Sequence, residues 1–100
     1  MPSDTPDRRL AKALRIQPKT ARLTGLLADR APGVGYTRDA LRQILDARDK
    51  NLSTQLSHAR SVLPAGSIVS VSVTTYELTD IGRAAVASAL AAYYAKEAAR

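Results

Sequence analysis

One hundred residues with 15 Lys/Arg against 9 Asp/Glu, a net charge of +6, and no Cys, Phe or Trp describe one small domain with an aliphatic core. The missing cysteines exclude disulfides, thiolate metal sites and cysteine nucleophiles, and they suit a reducing cytoplasm. No apolar run nears the roughly 20 residues that span a bilayer, and the polar N-terminus does not read as a signal peptide, so a cytoplasmic protein without a membrane partner is expected.

Thr5-Pro6-Asp7 reads as a helix start, with a hydroxyl cap, Pro at the first helical position and an acid next. That helix should run to about Ile16 with Leu10, Ala13 and Leu14 inward, until Gln17-Pro18 interrupts it. A second helix, about Pro18 to Arg30, sets Leu23, Leu26 and Leu27 on one face. Two glycines and a proline make 31–36 a turn, with a very short strand expected over Val34 to Tyr36. Thr37 caps a third helix that has Asp39 in its first turn and Leu41, Ile44 and Leu45 at helical spacing. Ala47 to Asn51 is a polar, tight turn. A fourth helix from about Leu52 to Leu63 buries Leu52, Leu56, Ala59 and Leu63 before Pro64-Ala65-Gly66 stops it.

From Ser67 the period changes. Val69, Val71 and Val73 alternate with Ser70 and Ser72 as in a half-buried strand, and Thr74 to Leu78 forms a second strand. No Gly, Asn or Pro marks the turn between them. Tyr76 and Leu78 share one strand face, Thr79 caps the next helix, and Asp80 complements its dipole. Residues 80–99 then form a helix about 30 Å long. Nine of the eighteen residues from Arg83 onward are alanine, which makes this helix intrinsically favourable.

The stretch Tyr76-Glu77-Leu78-Thr79-Asp80-Ile81-Gly82-Arg83 resembles the exit from the wing of winged helix-turn-helix proteins, and the order of elements before it fits. The resemblance covers roughly Lys19 to Leu90 and is closest to small bacterial regulators of the MarR, ArsR and PadR kind. It implies a mainly α fold with a small β-hairpin: a winged helix-turn-helix with an extra N-terminal helix and a long C-terminal helix. Residues 1–17 would be a basic helix or arm, 18–82 the core, and 83–100 the C-terminal, dimerising helix.

On this resemblance the helix from Asn51 to Leu63 is the recognition helix, lying in the major groove of double-stranded DNA. Outside its apolar stripe stand Ser53, Thr54, Gln55, Ser57, His58 and Ser61. Gln55 can bond both edges of an adenine, and the hydroxyls and His58 can meet a base or a phosphate. Asn51 opens the helix, and Lys50 and Arg60 flank it as phosphate partners. Thr37 and Arg38, at the preceding helix start, are further phosphate candidates. The plain alternative is an ordinary polar helix face.

Charge adds to this. Residues 1–60 hold 12 Lys/Arg against 6 Asp/Glu, whereas 61–100 hold 3 against 3. A one-sided basic surface attracts phosphate backbones. The sequence departs from the family at the wing, which has no Lys or Arg from 61 to 82; its Ser70, Ser72, Thr74 and Thr75 could at most hydrogen-bond a phosphate. The N-terminal cations Arg8, Arg9, Lys12 and Arg15 either supply the missing charge as an arm or simply face outward from a helix packed on the core. Val86, Leu90, Tyr93 and Tyr94 form an apolar stripe that either joins two subunits or folds back on its own domain. A lone histidine and no thiols leave no metal site, cofactor or catalytic pair, so no enzyme is expected. The expectation is a homodimeric, sequence-specific DNA-binding regulator, such as a repressor of an operator. The alternatives are an architectural, partition or replication-origin DNA binder and a winged-helix protein-interaction module.

Overall fold

The computed structural model describes residues 6–31 and 33–99, so the expected Thr5 cap and the Pro32 part of the turn lie outside the described residues. The chain is mainly helical with a small three-stranded antiparallel sheet. In order it forms α1 (Pro6–Leu14), α2 (Pro18–Asp29), β1 (Tyr36–Thr37), α3 (Arg38–Leu45), α4 (Asp49–Val62), β2 (Ile68–Ser72), β3 (Thr75–Leu78) and α5 (Asp80–Ala98). β3 is the central strand of the order β1-β3-β2. Among the described residues no helix is long and apolar enough to cross a membrane.

Helix ends follow backbone chemistry. α1 stops at Leu14, earlier than periodicity suggests, because Arg15 turns into the left-handed region at φ 57°. The Ile16 N–H then reaches back to the Ala11 carbonyl at 3.0 Å, closing the last turn. Asp46 does the same after α3, at φ 49°, with the Ala47 N–H on the Arg42 carbonyl at 2.9 Å. The turn between α3 and α4 is therefore shorter than expected, and α4 begins at Asp49. Thr37 caps α3 by accepting the Ala40 N–H at 3.1 Å.

β1 falls at Tyr36–Thr37, past the expected Val34, because the Val34 N–H is used in a turn to the Ala31 carbonyl. Gly35 is required just before it. Its φ is +65°, and a Cβ there would lie 2.3 Å from the Tyr76 carbonyl oxygen. Ser72 pairs with Thr75, so Val73 and Thr74 make the hairpin turn that carried no sequence mark. Between Ser70 and Ser72 the register shifts, leaving Val71 as the extra residue of a bulge. The expected inward set of valines is corrected here. Ile68 is buried and Val69 half-buried, but Val71 is 46% and Val73 96% exposed. The hairpin projects beyond the body, so only its base has a core to face.

The core is as aliphatic as the composition requires. Leu23 and Leu27 of α2, Leu41 of α3, Leu52, Leu56 and Ala59 of α4, Leu78 of β3 and Val86 of α5 are buried together. α2 touches α1, α3, α4 and β3, which makes it the central post. α1 lies against both α2 and α5 and buries Leu10 and Ala11 there.

The β3–α5 junction is the most constrained stretch. The Thr79 hydroxyl accepts the Gly82 N–H at 3.4 Å and donates to the Gly66 carbonyl at 2.6 Å, while its backbone N–H meets the Ser67 carbonyl at 2.8 Å. A Cβ on Gly82 would lie 2.8 Å from the Ser67 carbonyl oxygen and 2.5 Å from Leu78 Cδ1, so only glycine fits without a shift. Arg83 reaches across to the end of α2, donating to the carbonyls of Ala28 at 2.7 Å, Arg30 at 2.6 Å and Leu27 at 3.4 Å, and to Leu78 at 3.0 Å. A guanidinium suits this place because the last carbonyls of a helix carry its negative dipole end.

Candidate nucleic-acid interface

α4 divides cleanly around its axis. Leu52, Leu56 and Ala59 face the core, while Lys50, Thr54, Ser57, His58 and Ser61 are exposed on the opposite side. No acid occurs from Lys50 to Val62. The Thr54 hydroxyl donates to the Lys50 carbonyl at 3.1 Å and the Ser61 hydroxyl to the His58 carbonyl at 2.7 Å, so both are held by their own helix. The flanks differ from this outer face, and each is tied to a neighbouring element.

On the sheet flank, Arg38 Nη1 donates to the Tyr76 hydroxyl at 3.1 Å and Nη2 to Ser53 Oγ at 2.5 Å. The Arg60 guanidinium carbon stands 5.9 Å from the Tyr76 ring centroid. Arg38 is half-buried and bridges α3, α4 and β3, which differs from the outward phosphate position expected of it. The Thr37 hydroxyl is likewise engaged as a cap. Asp39 pairs with Arg42 at 3.3 Å beside them.

On the α2 flank, Asn51 is exposed and Gln55 is half-buried. The Gln55 side-chain carbonyl accepts the hydroxyl of the wholly buried Thr20. Its amide is thus turned toward α2, and the two-edged adenine contact expected of it is not presented outward. Lys19 and Arg22 share a cleft with Asn51 and Gln55, and Arg15 shares a second one with His58 and Ser61. Arg22 is anchored, donating to the Ile44 carbonyl at the end of α3 at 3.0 Å.

The N-terminal cations separate. Arg8 is exposed, Arg9 Nη1 donates to the Tyr94 hydroxyl at 3.3 Å, and Lys12 lies beside Tyr93 and Lys96 of α5. Only Arg15 of the expected four borders α4. The stripe expected to join subunits is partly used within the chain. Val86 is 7% exposed in the core, and Leu90 packs against it. Tyr93 is half-buried, and Tyr94 remains 46% exposed with its ring edge-on to Tyr93 at 5.7 Å. The reason is α1: its apolar side needs cover, and α5 supplies it.

Neither Lys19, which belongs to the acid-free basic stretch from Arg8 to Arg22, nor Arg83 is among the site residues expected from the sequence. Lys19 had a signal, since it stands four positions after Arg15 across a helix-breaking Gln17-Pro18. Arg83 had none beyond its place in the junction motif, because its acceptors lie on α2. Among the described residues no group of three His, Cys, Asp or Glu side chains comes together as a metal cluster. No protein-family model, curated protein or solved structure matches this chain.

Proposed function

We propose that this chain is a winged helix-turn-helix protein that binds double-stranded DNA sequence-specifically through α4 and acts as a small homodimeric transcriptional regulator. One observation carries the reading. α4 has a fully buried apolar stripe and, opposite it, an exposed acid-free face of Lys50, Thr54, Ser57 and His58. A helix built only to face solvent gains from alternating Glu and Lys, whereas hydroxyls, an imidazole and a cation suit base edges and phosphates. The order α2-β1-α3-α4-β2-β3 with sheet order β1-β3-β2 supports a winged-helix reading, and the +6 net charge favours a polyanion. Two copies would present two α4 helices to half-sites about one helical turn apart. The exposed side of α5 around Tyr94 is the surface left for pairing.

Fluorescence anisotropy against the chain's own upstream DNA and a scrambled duplex, at two salt concentrations, tests this. Tighter binding to the upstream duplex supports the regulator. Equal affinity for both would leave an architectural or partition-type binder, and binding to neither would end the DNA reading.

A second reading, a protein-interaction module, draws on the uncharged hairpin with Val71 and Val73 exposed. It gains if Val73→Asp abolishes function while Lys50→Ala and His58→Ala do not.

A further inference from the structure

Resting on that DNA reading, we propose that Arg15 and Lys19 form a phosphate clamp on the α2 flank of α4, so that the duplex is gripped beside α2 and not by the hairpin. Three observations converge. The first is placement: Arg15 lines the cleft it shares with His58 and Ser61, and Lys19 the one it shares with Asn51 and Gln55. The two cations thus follow one long edge of the outward helix.

The second is availability. Arg22 is spent on the Ile44 carbonyl, and Arg38 and Arg60 are drawn onto Tyr76. Among the described residues, the charged ends of Arg15 and Lys19 have neither a hydrogen bond nor an ion pair, and both residues are exposed. The hairpin, by contrast, has no cation at all from 61 to 82.

The third is backbone conformation. Arg15 sits at φ 57° in the turn that closes α1, a conformation that glycine adopts without steric cost. The comparable position after α3 holds Asp46, whose short polar side chain tolerates the left-handed region. An arginine has no such excuse, and local folding alone favours Gly or Asn at 15. A cation standing at the rim of α4 despite that backbone preference fits a role for its charge.

Phosphate contacts are counted by salt dependence. Each one neutralised contributes about 0.9 to the slope of log affinity against log salt. Arg15→Gly and Lys19→Ala should each lower that slope by roughly one and weaken binding about tenfold at 0.1 M salt. Arg15→Gly should at the same time leave the thermal midpoint unchanged or raise it. Arg30→Ala, which removes an equal charge from the opposite end of α2, should leave the slope as it is.

An unchanged slope in the Arg15→Gly, Lys19→Ala double variant, with wild-type protein still binding steeply, would overturn the clamp and leave the DNA reading standing. An equal loss in Arg30→Ala would reduce the effect to net charge and also overturn the clamp. Should Arg15→Gly lower the midpoint, Lys19→Ala alone decides. If wild-type protein binds no duplex at any salt, the clamp and the DNA reading fall together.

Discussion

The β3–α5 junction and the outward face of α4 sit at opposite extremes of the same small molecule. In the junction three residues are engaged: Thr79 caps, Gly82 lets two backbones approach, and Arg83 closes the end of α2. On the face of α4, Ser57 and His58 are exposed and form no recognisable motif. The stretch easiest to recognise is thus architectural, and the stretch proposed to read DNA is the plain one. A recognisable motif marks where the fold tolerates no change, which need not be where the chemistry lies.

Substitutions can break or sharpen that contrast. Arg83→Ala strips the α2 carbonyls of a charged donor and should destabilise the chain by about 2–3 kcal/mol. Urea unfolding would measure it, and a cost near zero would mean that water replaces the guanidinium. Gly82→Ala forces a methyl against the Ser67 carbonyl, so a loss of about 1–3 kcal/mol is expected. Thr79→Ala should cost about 1 kcal/mol as a lost cap, with Thr79→Ser recovering most of it. On the proposed reading, the folded fraction of these variants should bind DNA like the wild type.

The smallest stability effect belongs to α4. His58→Ala and Ser57→Ala should stay within about 0.5 kcal/mol of wild type in the same unfolding experiment. In anisotropy they should lose preference for the upstream duplex over the scrambled one. Stability loss without lost preference would merge the two regions and remove the distinction.

What could be read from residues alone was local. The caps at Thr37 and Thr79 and the stripe Leu52, Leu56, Ala59, Leu63 depend on spacing of a few positions, and the structure has them as expected. What failed depends on distant neighbours. Val73 alternates like a buried residue but has nothing above it, since the hairpin outruns the core. Arg38 and Gln55 looked outward by helical position, until Tyr76 and Thr20 drew them sideways. Val86 and Leu90 looked like a stripe for a second chain because nothing local shows that α1 docks there. Of the candidate site, the helix and its polar side were legible. Which of the N-terminal cations stand beside it was not, because that is a property of how α1 and α2 turn.

The bond between Thr20 and Gln55 carries a consequence for selectivity on the proposed reading. Thr20 is wholly enclosed, so swinging Gln55 toward a base deprives that hydroxyl of its acceptor, a penalty of about 1–3 kcal/mol. Any base pair that returns less than this leaves the amide parked against its own protein. The side chain then behaves as a toll gate, silent over most sequences and opened only by the one that repays the toll.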